Sequence, residues 1–430
     1  MLLHTTICVK VKICIYKHTL LGTNEFTNLL IMNTGKSIIG GHKMKLSAFK
    51  KYGPFTAVFI VSFFVYCSNQ MVGASISKFA DYLGATSSMV GTVVGSFQMA
   101  ALVMRPFSGQ LVDNANKKML LSVSMFIVLL STVGLLFTHT AFLLIVFRGL
   151  NGLGWGLGST LLMTLATGYF PKEHINTGIG IYSMGQTIAQ AIAPSIALSI
   201  VAWKGYNYLY RYNVILMIIA FGLSLIIKID TGSNKDYKYS FHIKDFFAKE
   251  ASLPALLQFC NQIANAAVTA FLILYAESIG VMNIGFYFTL RAIVLFVCRP
   301  AISWLADRFG TNTILIPCEI LQILSFVVLV MADGPVYFWI SAILMGISTS
   351  GTSPALMSLC ISSVPDSQRG KASNTNYLVT DLGGFFGSNI AGIVAGIVGY
   401  RALFGIYIIP SVLCLLIYLF FIRKTLLPQK

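Results

Sequence analysis

The chain has 430 residues, of which 56% are hydrophobic and only 10% charged, against roughly 25% charged in an average soluble domain. A chain this poor in polar side chains cannot cover itself with a water-soluble surface, so the composition excludes a string of soluble domains and points to a polytopic membrane protein. The formal net charge of +16 does not indicate nucleic acid, because the basic residues fall in short loops on alternate sides of hydrophobic segments, as the positive-inside rule requires.

Residues 1–43 carry five lysines and no run long enough to cross a bilayer. They are expected to form an extension outside the folded body. Met44-Lys45-Leu46 opens the pattern of a cytoplasmic start, and the codons of Gly40-Gly41 can spell a bacterial ribosome-binding sequence just upstream of Met44. Gly35-Lys36-Ser37 resembles the end of a phosphate-binding loop, but the required earlier glycine is Leu30, so nucleotide binding is rejected.

Twelve largely apolar runs of spanning length follow, near 53–77, 86–108, 119–138, 141–165, 177–201, 207–228, 254–278, 284–306, 313–332, 335–360, 372–398 and 402–423. They divide the chain into a first six-helix bundle (44–228), a polar linker (229–252), a second six-helix bundle (253–425) and a short tail (426–430). Within the linker, residues 240–249 read as a short surface helix.

The second bundle repeats the first at an ungapped offset of 194 residues. Arg105-Pro106, Leu111 and Asp113 match Arg299-Pro300, Leu305 and Asp307; Gly91 matches Gly285, Gly152 matches Gly346, Pro171 matches Pro365, and Gly205-Tyr206 matches Gly399-Tyr400. Two similar hydrophobic halves facing one another are how many secondary transporters build a substrate site at mid-membrane.

Lys117, Lys118, Lys172, Arg308, Arg369, Lys371, Arg423 and Lys424 lie on one side of the spans and only Lys78, Lys204, Arg211 and Arg401 on the other. Both termini are therefore expected in the cytoplasm, with the chain in the cell membrane. The eight cysteines are scattered without a Cys-x-x-Cys pair, so neither a metal site nor a disulfide framework is indicated. No cofactor is expected. All six histidines lie outside the span interiors, which argues against a membrane-embedded enzyme.

At the end of the second span, Gly109-Gln110-Leu111-Val112-Asp113-Asn114-Ala115-Asn116-Lys117-Lys118 resembles the helix 2–3 loop motif of the major facilitator superfamily, Gly-x-Leu-x-Asp-Arg-x-Gly-Arg-Lys, with departures at Asn114 and Asn116. A second copy, Leu305-Ala306-Asp307-Arg308-Phe309-Gly310, keeps the Asp-Arg-x-Gly core. The resemblance covers about residues 50–425. It implies an all-α membrane protein of twelve helices in two pseudo-symmetric six-helix bundles, with helices 1, 4, 7 and 10 around a central cavity. It also makes Gly109, Asp113, Lys117, Lys118, Asp307, Arg308 and Gly310 candidate gate residues, with simple interfacial anchoring as the alternative. Arg148 to Gly154 is similar to the helix-4 motif Arg-x-x-Gln-Gly of proton-coupled antiporters, with Asn151 for glutamine. Around Pro194 the helix-5 antiporter motif is barely present, and Asp381-Leu382-Gly383-Gly384 is similar to a segment of efflux-type members.

A charged residue at the centre of a span costs about 2.5–3.5 kcal/mol on insertion scales and is a functional candidate by default. Four stand out: Arg148, Arg291, Glu319 and Asp381. Arg148 can bind an anionic group or act as a structural donor. Asp381 reads as the proton-carrying carboxylate, or as a static partner of Arg148 or Arg291. Arg291 can pair with Asp381 or line the gate. Glu319 reads equally as an interfacial or a functional group. Arg105 and Arg299 are expected to snorkel to the headgroups.

Gln258, Asn261, Gln262 and Asn265 recur at helical spacing. Four amides facing lipid would be costly, so the stripe is expected to face the cavity, with helix–helix hydrogen bonding as the alternative. Asn69 and Gln70 stand at equivalent height in helix 1, and Tyr66, Trp155 and Tyr377 could add aromatic surface. The sequence thus reads as a monomeric secondary transporter working by alternating access, not an enzyme, and moving a small organic solute or drug outward against protons. Proton-coupled uptake of a sugar-like or anionic metabolite and a non-transporting receptor stay open as alternatives.

Overall fold

In lipid every backbone amide must be satisfied within its own segment, which leaves the helix as the form available to apolar runs such as these. The computed structural model describes residues 46–169, 175–227, 247–282, 284–365 and 369–422. Its helices are α1 (Leu46–Tyr82), α2 (Ser87–Asn114), α3 (Lys117–Leu136), α4 (Ala141–Gly168), α5 (Ile175–Lys204), α6 (Tyr206–Ile226), α7 (Ser252–Ser278), α8 (Gly285–Phe309), α9 (Thr311–Val330) and α10 (Pro335–Ser362). The long helix Arg369–Ile406 is broken at Gly399. The part before the break is α11 (369–398). The part after it, α12 (400–422), continues through Ile408–Ile417 into a π turn at Tyr418–Ile422. Each of the twelve expected spans is therefore helical. The extension 1–43, most of the linker 229–252 and the tail 426–430 lie outside the described residues; Lys249–Ala251 forms a single 3-10 turn leading into α7.

Local chemistry sets several of the ends. Thr86 Oγ1 accepts from the Met89 amide at 3.4 Å and opens α2. Asn116 Oδ1 accepts from the amides of Lys118 and Met119 at 3.0 and 3.1 Å and opens α3, an N-cap role suited to asparagine. The position 194 residues on, Gly310, turns the chain with φ 85° instead. Gly205 and Gly399 occupy matching joints of the two halves with φ 81° and 79°, a left-handed conformation that favours glycine.

The duplication extends to packing. Gly152 of α4 abuts the Phe97 carbonyl of α2, and its match Gly346 of α10 abuts the Arg291 carbonyl of α8; Phe97 and Arg291 are themselves 194 residues apart. The halves meet along two related seams. In one, Gly91 of α2 lies against Ser388 and Gly392 of α11, with Thr92 Oγ1 donating to Asn389 Oδ1 at 2.9 Å. In the other, Gly285 of α8 lies against Ser195 and Leu198 of α5, and Ser195 Oγ donates to the Gly285 carbonyl at 2.7 Å. Small residues let helix backbones approach closely where lipid supplies no hydrophobic drive between them.

The helix ends define two faces, one where α1 meets α2 and one where α2 meets α3. Toward the α1–α2 face, the largest buried apolar cluster joins residues of both halves, among them Ile76, Phe79, Val90, Phe271, Tyr275 and Phe404. An ion pair between Lys78 of α1 and Glu277 of α7 crosses the halves at the same face. The halves are in contact there.

Overpacking a filled site costs about 1–3 kcal/mol. Gly91→Leu is expected to force α2 from α11 and lower the Tm of the detergent-purified protein by several degrees. Gly222→Leu, on α6 with open space at its Cβ position, should leave Tm nearly unchanged. Equal Tm values for the two variants would contradict the close-packed seam.

Candidate functional site

Asp381 is 8% exposed, and its carboxylate is held by Arg105, whose Nε donates to Oδ2 at 2.7 Å. The two residues belong to α2 and α11, so the bond crosses one of the seams between the halves. The Arg105 guanidinium also lies over the Tyr377 ring, 5.0 Å from its centroid. This corrects two expectations. Asp381 is paired with neither Arg148 nor Arg291, and Arg105 does not snorkel to the headgroups but turns into the interface. Arg299, the repeat of Arg105, is exposed. The reason is an asymmetry in the copy: the residue 194 before Asp381 is Thr187, so the α5–α8 seam offers Arg299 no carboxylate at the matching position.

Arg148 and Arg291 are the eighth residue of α4 and the seventh of α8. At 1.5 Å per residue both stand about 10 Å in from the α1–α2 face. Arg148 is 4% exposed. Its guanidinium lies 4.2 Å from the Phe97 ring centroid, Nη1 donates to Asn69 Oδ1 at 3.5 Å and Asn151 Oδ1 at 3.4 Å, and Nε is buried without an acceptor among the described residues. Asn151 is fixed in turn by donating to Ser131 Oγ at 2.9 Å. Arg291 Nη2 donates to Thr349 Oγ1 at 3.2 Å and Asn265 Oδ1 at 3.5 Å. Among the described residues neither arginine makes an ion pair.

Arg291 lines a cavity of about 260 Å³ between the halves, walled also by Gln70, Gly73, Gln190, Thr269 and Thr349 and containing no acidic residue in its lining. The cavity draws on α1, α5, α7, α8 and α10. Of the expected cavity residues, Gln70 is in this lining. Asn69 is not in this lining but accepts from Arg148. Tyr66 and Trp155 form an edge-to-face pair with centroids 4.7 Å apart, and Trp155 in turn faces Phe97 at 6.2 Å. These rings lead to Arg148, whose guanidinium rests on Phe97.

The amide stripe of α7 lies outside this lining and bonds mainly to neighbouring helices, the alternative that the sequence left open. Gln258 Nε2 donates to Thr380 Oγ1 of α11 at 3.0 Å, and Gln262 packs beside Gly383 of α11. Asn261 Nδ2 donates to Glu319 Oε1 at 3.0 Å and Gln322 Oε1 at 3.2 Å. Asn265 Nδ2 donates to Asn261 Oδ1 at 2.9 Å. Amides are costly to leave unpaired in lipid, and α9 and α11 carry the partners they need. The bonds form a line from Arg291 through Asn265 and Asn261 to Glu319. Glu319 is wholly buried as the ninth residue of α9.

At the loop motifs, the side chains of Gly109, Asp113 and Asp307 lie outside the described residues. Lys117 and Lys118 are half-buried at the start of α3. Arg308 is exposed and lies 5.3 Å from the Trp304 ring centroid, while Gly310 makes the turn between α8 and α9. The residue that sequence reasoning underrated is Arg105. Its signal was the repeated Arg-Pro pair, whose two members look alike until the opposing helix is known.

Removing one member of a buried ion pair costs about 3–5 kcal/mol, because the other charge is stranded. Arg105→Gln and Asp381→Asn are each expected to lower the Tm of the purified protein, and the double variant to lie above the sum of the two losses. Strict additivity in this double-mutant cycle would show that the pair is not coupled.

The profile of the Major Facilitator Superfamily matches residues 58–242 and 255–430. The chain is 26% identical over 404 residues to the staphylopine export protein of Staphylococcus aureus, covering 86% of this chain and 96% of that one. It is 22% identical to the multidrug resistance protein MdtG of Enterobacter lignolyticus, covering 81% and 87%. The fold matches the crystal structure of the nucleoside transporter NupG with a TM-score of 0.71 at 16% identity, covering 85% of this chain and 98% of that one. It also matches a POT family transporter in complex with a thioalcohol-conjugated peptide, with a TM-score of 0.75 at 14% identity over 87% and 96%. With both halves matched in order by a single profile, and a helical body that overlays known carriers nearly end to end, the chain belongs to the Major Facilitator Superfamily and is a multi-pass membrane transporter of small molecules.

Proposed function

We propose that the chain is a proton-coupled exporter of a small organic solute, working by alternating access. Two six-helix bundles, 44–228 and 253–425, rock about the cavity lined by Arg291. Both termini lie in the cytoplasm, the chain sits in the cell membrane, and the monomer is the working unit. The outward direction draws support from the relatives named for staphylopine export and multidrug resistance. The observation that carries the coupling is the Arg105–Asp381 pair, which joins α2 to α11 across the halves.

The cycle follows from what each protonation state does to that bond. Ionised Asp381 holds Arg105 and ties the α2–α11 seam. A proton on the carboxylate removes its charge, weakens the pair and frees the seam to move. With the α1–α2 face closed, Asp381 is ionised, the pair is intact and the cavity takes up solute from the α2–α3 side. Bound solute opens the α1–α2 face against the hold of the pair; Asp381 then takes a proton from outside as solute leaves, and the freed seam lets the empty carrier return. Return to the closed form releases the proton inside and restores the pair. Asp113 and Asp307 act as latches at the α2–α3 face, making contacts in one conformation that break in the other. Glu319 joins the electrostatics of the cavity through the amide line to Arg291.

Proteoliposomes with an imposed pH gradient test the coupling. Solute movement is expected to follow the gradient. Asp381→Asn should abolish gradient-driven movement while retaining exchange of solute for solute, since the neutral residue cannot cycle a proton but still allows rocking. Wild-type movement that ignores the gradient would exclude proton coupling, and gradient-driven movement in Asp381→Asn would exclude this carboxylate as the carrier.

A further inference from the structure

Two guanidinium groups stand at the same depth, one in each half, with no acidic partner among the described residues. Arg291 lines the cavity directly and donates to the neutral oxygens of Thr349 and Asn265 at 3.2 and 3.5 Å. Arg148 stands behind the opposite wall, which at this point is Gly73 of α1. A Cβ built on Gly73 meets one atom within 4 Å, and that atom is Nη2 of Arg148 at 3.8 Å. The missing side chain therefore leaves a gap between the cavity and the guanidinium. Arg148 keeps unused hydrogen-bonding capacity in its buried Nε.

A buried cation in a bilayer is costly unless something compensates it. Asp381 is already committed to Arg105, and Glu319 reaches Arg291 only through two intervening amides. The remaining source of negative charge is the occupant of the cavity. We infer that the transported solute is a small organic anion carrying two acidic groups, one bound by Arg291 and the other by Arg148 through the gap at Gly73. This rests on the transporter reading above and supplies its substrate class. Arginine is suited to the task, because its planar fork binds carboxylate or phosphate by two parallel hydrogen bonds. Gln70, Gln190 and Thr269 supply neutral hydrogen-bonding groups for the part between. A cavity of about 260 Å³ is at the small end for ligand sites, which fits a compact metabolite.

Calorimetric titration of the full, detergent-purified chain tests this with succinate and glutarate as dianions, butyrate as monoanion, and succinamide and tetraphenylphosphonium as neutral and cationic controls. The dianions are expected to bind more tightly than butyrate, and the controls not to bind. Arg291→Gln should weaken both classes of anion by about tenfold or more, the scale of losing a charge-assisted bond. Arg148→Gln should weaken the dianions alone and bring them level with butyrate.

Because either arginine variant could fail to fold, Gly73→Ala provides the second arm. It replaces a mid-helix glycine with a better helix former at a site with room for the methyl group. It should fold as well as the wild type, keep butyrate affinity and lose the preference for dianions. The inference is overturned if no anion binds, if the phosphonium binds in preference, or if Gly73→Ala and Arg291→Gln bind succinate as the wild type does. The transport reading fails separately: proteoliposomes loaded with a mixed metabolite extract would then release no component faster than protein-free liposomes under a pH gradient, whatever the titrations give.

Discussion

A carboxylate in the interior of a membrane bundle costs about 2.5–3.5 kcal/mol on insertion scales, and Asp381 is sustained there by Arg105 at 2.7 Å. Neither residue shares a half with the other. The pair therefore adds a buried ionic bond to two bodies that also meet through glycine, serine and threonine contacts at the seams and, toward the α1–α2 face, through an apolar cluster and the Lys78–Glu277 pair. It is also the one contact across the α2–α11 seam, among the described residues, whose strength a single proton can change. Neutral small-residue seams fit helices closely but do not respond to ions. A charged pair set among them lets a chemical event act on the whole interface.

The other buried cations obey the same electrostatic constraint with a different outcome. Arg148 lies on an aromatic ring and two asparagine oxygens, which lower the cost of burial without cancelling the charge. Arg291 leans on a threonine and an asparagine. The protein has thus committed Asp381 to the seam, kept Glu319 two amides away from Arg291, and left the cavity lining without an acidic residue. Interior charges divide by location: a compensated pair where the halves must hold and release, and uncompensated cations where a solute must enter and leave.

Pseudo-symmetry explains where the two halves differ as well as where they agree. Gly152 and Gly346 bring α4 onto α2 and α10 onto α8 in the same way, and Gly205 and Gly399 turn the chain with nearly the same φ. Against that common frame the differences carry the chemistry. Asp381 stands where the other copy has Thr187, so one seam has an ion pair and the other does not. Arg291 stands where the other copy has Phe97, the ring on which Arg148 rests. Each half thereby places one arginine at the same depth, but from opposite members of the matching helix pair.

Much of this was legible in the amino-acid order. Hydrophobic length and the rarity of charge dictate helices, the constant offset dictates two similar halves, and the loop motifs indicate the family. These features are local or periodic, and lipid permits few other forms. The partners of the buried polar groups were not legible. Arg105 and Arg299 share the Arg-Pro pair at matching positions, yet one meets a carboxylate and the other is exposed, because the outcome depends on which residue of a distant helix lies opposite. The amides of α7 share a helical face that satisfies the pattern for a cavity, but three of them bond to groups on α7, α9 and α11. Periodicity shows that a face is polar, and only the tertiary packing decides whether that face meets a solute or another helix.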